Sequence, residues 1–468
     1  MAQQKTTFAL YFGNRGSFPA SLIAGARQQM QSRLAELGHN TLIMDAELTA
    51  HGAIETPREG EIYANWLRKH QGEFGGVILS LPNFGDENGA IAALKDCGVP
   101  ILIQAYPDEF DKMAPELRRD AFCGKFSIMD VFRQNALKFT ALKPHTQDPA
   151  SAGFAANVDY FDRMCRVVGG MKDIVVGAIG ARTTAFKTVR IDEVALQRQG
   201  ITMETLDLSD IFARVAALED RDEKVQAKAE RLRGYTNWDA VPDEAFDKLV
   251  KLGVAIDQVV EEYRMDALAI RCWIEMQQQL GISPCVLLSE MNDRGVITAC
   301  EVDIGNAVAM RALALASGDV VTCLDWNNNY GDDEDKCILF HCGPVPQTMM
   351  TDRGCVADHA ILANAVGKGN AYGPCEGRIK PMPFTFGSML TEDGQMKFYL
   401  GEARFTDDPI ADDFFGCAGV MQMRGLQDAL QTIGYLGHRH HVSVTPQYVA
   451  GPIYEALTKY IGCEVTCV

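Results

Sequence analysis

"TTFALYFGNRGSFPASLIAGARQQMQSRLAELGHNTLIMD", residues 6–45, is the stretch on which the fold turns. TTFALYFGN (6–14) is a short apolar run that ends in a turn, which is how a buried strand reads. PASLIAGARQQMQSRLAELG (19–38) follows as an amphipathic helix closed by Gly38, and HNTLIMD (39–45) is a second strand. The same alternation continues in FGGVILSLP (74–82), the helix DENGAIAALKDCG (86–98) and VPILIQAY (99–106). Short apolar runs alternating with helices predict a parallel sheet covered on both faces.

A second α/β unit opens after the loop LKPHTQDPASAG (142–153). It holds a helix around 157–170, the strand DIVVGAIG (173–180) and the helix TVRIDEVALQRQG (188–200). A charged helical stretch around 219–234, a long helix at 243–265 and the strand DALAIRCW (266–273) come next. PCVLLSEMNDRG (284–295) and VITACEVD (296–303) lead into a helix that starts near Ile304. Beyond about residue 345, short strands, turn dipeptides and Gly/Pro punctuation replace the helices. The fold class expected is α/β: two Rossmann-like parallel-sheet domains, 1–152 and 153–345, then a β-rich, barrel-like domain, 346–468. No internal repeat and no low-complexity tract interrupts this plan.

Composition narrows the function. The 468 residues are 47% hydrophobic and 23% charged, as in an ordinary globular protein, and carry a formal net charge of −18. That charge argues against nucleic-acid and membrane-surface partners, which favour a basic face. The N-terminus is too polar for a signal peptide and no run reaches the length of a membrane helix, so a cytoplasmic location is expected. The 14 cysteines show no CxxC spacing and read as reduced core residues.

Three segments place polar residues at the ends of apolar strands. ACEVDIGNA brings Glu301 and Asp303, GDVVTCLDWNNNYGDDED (318–335) brings Asp325 at the end of VVTCL, and CILFHCGP (337–344) brings His341. In a parallel sheet, functional groups gather beyond the carboxyl ends of strands, so these should converge. Two carboxylates and an imidazole suit a hard divalent cation. LGHRHHVSV (436–444) adds a histidine cluster; on a strand, His438 and His440 would share one face and His441 the other.

Plainer readings stand beside each of these. Asp303 fits an N-cap of the helix at Ile304, and Glu301, one pleat earlier on the same strand face, could be half of a buried ion pair. His341 could be a core histidine and HRHH a polar edge strand. Cys323, Cys337 and Cys342 match no zinc spacing and read as small core fillers. Arg15 in YFGNRGSFP (11–19) and Arg182 in GARTTAFKTVR (180–190) sit in glycine-flanked loops without a nucleotide motif. Each could hold a sugar hydroxyl or an anion, or simply tie down its own loop.

Taken in order, IRCWIEMQ (270–277), GVITACEVDIGNAV (295–308), LDWNNN (324–329), FHCGP (340–344) and HRHHVSV (438–444) resemble the L-fucose/L-arabinose isomerase family, in its shorter, fucose-isomerase-like members. YFGNRGSFP and CGKFSIMDVFRQ (123–134) extend the resemblance over nearly the whole chain. It implies a homo-oligomer, hexamer or tetramer, with intersubunit active sites to which Arg15 would contribute. It implies a divalent metal, Mn²⁺ first with Mg²⁺ or Co²⁺ as substitutes, held by Glu301, Asp325, His341 and a histidine of the HRHH cluster. His440 is favoured over His441 for that place. Glu301 and Asp325 would also be the catalytic pair, with Trp273, Trp326, Asn327, Arg15, Arg182 and Arg439 around the sugar.

The implied reaction is aldose–ketose isomerisation through a cis-enediol(ate), in which carboxylates move the proton between C1 and C2. No nucleotide or organic cofactor is expected. The sugar would be L-fucose- or L-arabinose-like, or a modified one. An isomerase of an anionic sugar such as sulfoquinovose, a non-catalytic sugar-binding protein, and a lyase or epimerase sharing the enediolate are the alternatives.

Overall fold

The computed structural model describes residues 5–468. By internal packing the chain divides into two units, one running up to Gly169 with Glu455–Ile461, the other formed by Gly170–Tyr454 and Gly462–Val468.

In the first unit, β1 (Phe8–Phe12), β2 (Thr41–Ile43), β3 (Gly76–Leu81) and β4 (Ile101–Ala105) form a parallel sheet in the order β2-β1-β3-β4. Every residue of β1, β3 and β4 is buried, as expected of strands covered on both faces. The helix between β1 and β2 spans Ser21–Glu36, and Gly38 follows it at φ +82°. The helix Pro57–Lys69 begins with a full capping box between Thr56 and Glu59 and Pro57 at its first position.

The second unit repeats that topology. β5 (Ile174–Ile179), β6 (Ile201–Leu206), β7 (Ala267–Ile270) and β8 (Ile297–Cys300) are parallel in the order β6-β5-β7-β8. The helix expected over 188–200 is only Glu193–Arg198, because Asp192 accepts from the Val194 and Ala195 N–H groups and starts it there. β6 and the helix Leu208–Ala217 have no counterpart in the sequence reading. In ITMETL the apolar and polar residues mix, and β6 is only partly buried.

The remaining strands are β9 (Thr322–Tyr330), β10 (Asp333–His341), β11 (Cys355–Asp358), β12 (Tyr372–Arg378), β13 (Met382–Glu392), β14 (Gln395–Phe405), β15 (Cys417–Gln422), β16 (His441–Pro446) and β17 (Glu464–Cys467). They make a nine-stranded sheet in the order β11-β12-β15-β10-β9-β16-β13-β14-β17, and an added β14–β15 pairing closes its middle into an antiparallel barrel. Phe384 and Phe405 stack inside at 4.3 Å, with Phe386 and Tyr399 also fully buried.

One expectation about this region is corrected. Asp325 does not end a strand of a parallel sheet; β9 runs on through WNNNY and pairs with β10 as a hairpin. The polar stretch read as a loop is the solvated end of that hairpin. The nine-stranded sheet therefore begins upstream of residue 346, and the three strand ends do not share one parallel sheet. Among the described residues no helix is long and apolar enough to cross a membrane.

Candidate functional site

β8 ends at Cys300, and the chain then turns through Glu301 and Val302 with φ of +60° and +57°. Two successive left-handed residues, one of them β-branched, are a strained way to leave a strand, and such strain collects at functional positions. The turn corrects the expectation that Glu301 and Asp303 share a strand face. It aims Glu301 sideways, while Asp303 caps the helix Ile304–Ser317 by accepting from the Asn306 N–H at 3.0 Å.

Asp303 is fully buried and does more than cap. His441 Nδ1 lies 2.8 Å from its Oδ2, and Arg439 pairs with its Oδ1. Gly305 makes room for this, since a Cβ there would run into the Arg439 guanidinium and the Met389 carbonyl. Burial alone would raise the Asp303 carboxyl, but Arg439 and the bonds from His441 and Asn306 hold it far below the usual carboxylate range.

His441 thus has its Nδ1 occupied and its Nε2 turned toward Glu301 Oε2 at 2.9 Å and Asp325 Oδ1 at 3.5 Å. On the barrel, His441 of β16 stands directly across from Asp325 of β9, and Asp325 stands across from Phe340, the neighbour of His341 on β10. Three adjacent barrel strands and the turn after β8 therefore build the cluster. Trp273 Nε1 donates to Glu301 Oε1 at 2.9 Å and fixes the other oxygen.

Asp325 Oδ1 and His341 Nε2 are both buried without a hydrogen-bond partner. Orphaned polar atoms of this kind call for a ligand, because leaving them dry costs about 1–3 kcal/mol each. Glu301, His440 and His441 form one group whose donor atoms lie within 4.8 Å, and Asp325, His341 and His441 form another. Carboxylate oxygens with imidazole nitrogens fit a hard divalent cation, so these residues suit the metal that the resemblance implies.

The electrostatics match the geometry. Burial lifts the Asp325 carboxyl above its ordinary value, and the histidines only partly offset it. For Glu301, burial acts upward but the bond and charge of His441 outweigh it, so its carboxyl is lowered. Burial would lower His441, yet its bonds to Asp303 and Glu301 push it well up.

Of the two histidines left open, His441 is buried against both carboxylates. The His440 side chain is 43% exposed, with its Nε2 3.8 Å from Asp325. The reason is that the strand starts only at His441, so His438 and His440 lie in the loop before it and do not share a strand face.

A cavity of about 300 Å³ opens on this cluster, lined by Trp273, Glu301, Asp325, His341, Cys342 and, at its rim, His359, Ile361 and Leu362. Among the expected sugar contacts, Trp273 lines it. Trp326 points the other way, toward Tyr399 and Phe386 within the barrel, as the alternation along β9 requires. Asn327 is exposed, and Arg439 is committed to Asp303. Arg182 donates to the Thr183 carbonyl of its own loop. Arg15, in the first unit, pairs with Glu87 at 2.8 Å and lies over the Phe84 ring. The sequence reading missed Phe186, whose ring meets Trp273, His440 and His441, and Cys342, which faces the cavity. For Cys342 the signal was its place directly after His341.

With that architecture in view, comparison with known proteins supplies the class. Residues 9–172 match "Fucose/sulfoquinovose isomerase, N-terminal domain" and residues 339–468 match "L-fucose isomerase, C-terminal domain". The chain belongs to the fucose isomerase family. Among its relatives is a sulfoquinovose isomerase of Priestia aryabhattai, 25% identical over 270 residues, which are 57% of this chain and 58% of that protein. A sulfoquinovose isomerase of Alkalicoccus urumqiensis is 25% identical over 269 residues, 57% of this chain and 59% of that one. A third, of Clostridium sp. (strain MSTE9), is 24% identical over 326 residues, 68% of this chain and 69% of that one. The similarity thus spans less than two thirds of the first two relatives. Glu301 and Asp325 fall between the two matched domains, whereas His341, His440 and His441 fall inside the second.

Proposed function

We propose that this protein is a metal-dependent aldose–ketose isomerase whose substrate is an anionic monosaccharide of the sulfoquinovose kind, acting as a homo-oligomer. The observation that carries the reading is the pair of orphaned buried atoms, Asp325 Oδ1 and His341 Nε2, beside Glu301 on the wall of one cavity. The relatives named above favour the anionic substrate. The match to an L-fucose isomerase C-terminal domain keeps a neutral, fucose-like sugar as the second reading.

Glu301, Asp325, His441 and His341 would hold the divalent cation, Mn²⁺ first, which when bound would supply Lewis acidity for proton loss beside the sugar carbonyl. The two carboxylates move the protons. One takes the C2 proton and returns it at C1, while the hydroxyl proton on O2 passes to O1, so aldose and ketose balance through a cis-enediol. Trp273 keeps Glu301 Oε1 in place, while Oε2 meets His441 Nε2 at 2.9 Å. Asp303 fixes the His441 ring so that Nε2 faces Glu301 and Asp325. Phe340 adds an apolar wall to the cavity, with Leu362 and the exposed Ile361 at its rim.

The test is turnover of a panel of neutral and anionic aldoses with Mn²⁺ and with EDTA. Turnover of an anionic sugar that stops in EDTA, and a loss of about 10²-fold or more in Glu301→Gln, are expected. No turnover of any sugar, together with unchanged metal binding in Glu301→Gln, would overturn the assignment. Tight sugar binding in chelator without turnover would make the protein a sugar-binding protein instead.

A further inference from the structure

Behind His341, on the side away from the carboxylates, three segments bring sulfur together. Cys300 ends β8, Cys342 follows β10, and Cys285 opens the helix Cys285–Asp293. Cys300 Sγ, Cys342 Sγ and a His341 ring nitrogen all lie within 4.8 Å of one another. Cys285 Sγ is 3.5 Å from Cys342 Sγ, and His341 Nδ1 is 3.2 Å from the same sulfur.

Those spacings are the size of a metal site. With Zn–S bonds of about 2.3 Å in a tetrahedron, two ligand sulfurs stand about 3.8 Å apart. A cation can reach them, because Cys285 and Cys342 both line the cavity. The donors are soft, unlike the oxygen-rich set on the other face of the imidazole.

We propose that Cys300, His341 and Cys342, with Cys285 as a fourth ligand, form a second cation site selective for a thiophilic divalent ion such as Zn²⁺ or Cd²⁺. Binding expels one proton from each coordinating thiol to solvent. A neutral imidazole has one lone pair, so His341 serves the thiol side through Nδ1 or the carboxylate side through Nε2, not both. Its Nδ1 lies 3.2 Å from Cys342 Sγ and accepts the Cys342 N–H at 2.9 Å, a bond that coordination on the thiol side displaces. A thiophilic ion therefore takes His341 from the carboxylate site and inhibits. The inhibition rests on the proposed function, whereas the site itself does not.

The experiment adds Cd²⁺ to the full-length, EDTA-treated protein and records the thiolate-to-cadmium charge-transfer absorbance in the near ultraviolet. A saturating band at one ion per chain is expected. Cys342→Ser and, independently, Cys300→Ser should weaken Cd²⁺ binding at least about tenfold. A variant lacking the exposed Cys123, Cys355 and Cys467 should retain the band. Circular dichroism identifies any variant that fails to fold, and Mn²⁺ binding followed by paramagnetic resonance should persist in Cys342→Ser. Absence of the band, or a band that survives in both folded serine variants, overturns the site. A Cd²⁺ band in a protein that turns over no sugar would leave the site standing and remove the functional reading alone.

Discussion

The two parallel sheets of this chain have one topology and two fates. β2-β1-β3-β4 and β6-β5-β7-β8 place their strands in the same relative order. In the first, the loop after β1 carries Arg15, which is satisfied by the segment after the adjacent strand β3, through Glu87, the Gly85 carbonyl and the Phe84 ring. In the second, the turn after β8 carries Glu301, whose partners come from elsewhere, from Trp273 and from His441 of the barrel. Arg15 is thus satisfied within its own sheet, whereas Glu301 reaches the barrel, where its partner His441 also faces Asp325.

The largest effect that would test this contrast is expected at Asp303. Asp303→Ala should cost about 3–5 kcal/mol in urea unfolding, because it strands the buried Arg439 charge. It should also weaken metal affinity about 10–100-fold through the freed His441 ring, as read by titration calorimetry on the folded variant. An unfolding midpoint unchanged from wild type would show that the turn after β8 is no more embedded than the Arg15 loop.

Asp325→Asn should behave in the opposite sense. Burial raises this carboxyl, so its ionised form weighs against the metal-free fold. Without metal the variant should melt at or above the wild-type temperature. At Mn²⁺ of about 100 times Kd it should lose the roughly 2.7 kcal/mol of stabilisation that a ligand then confers on wild type.

The loop before β16 supplies a pH test. His438 packs edge-on to Tyr399 at 4.7 Å, with Arg439, Glu392 and Lys397 nearby. Burial first, and Arg439 next, lower its pKa to about 4. The unfolded chain therefore takes a proton near pH 6.5 that the native ring refuses until about pH 4. Stability should fall as the pH drops through that window, by up to about 1.4 kcal/mol per unit, and His438→Gln should flatten the slope. An identical slope in the variant would mean that the ring is hydrated.

The smallest change belongs to the first sheet. Arg15→Ala removes a side-chain ion pair that is 30% exposed on the arginine and should cost about 0–1 kcal/mol of stability. A loss of turnover far larger than this would break the contrast and return Arg15 to the reacting sugar.

Much of this was legible because the patterns are local. β1, β3, β4, β5 and β7 sit where continuous apolar runs predicted them, and Asp303 caps the helix that its neighbours announce. β6 was missed because its mixed residues carry no clean period. The β9–β10 hairpin was missed because NNNYGDDED has the composition of a loop, although its strands pair. The choice between His440 and His441 depended on where β16 begins, which in turn depends on pairing with β9 and β13. Cys342 looked like filler because its partners, Cys285 and Cys300, lie far away along the chain.

The sequence by itself determined the α/β–barrel plan, the family resemblance and the short set of acids and histidines from which a site could be drawn. Periodicity, capping and motif order are written in neighbouring residues, so they survive without coordinates. Only the tertiary structure decided that Glu301 leaves β8 through a left-handed turn, that Asp303 orients His441, and that His341 stands between oxygen donors and thiols. Those facts rest on contacts between distant segments, and folding alone brings such partners together.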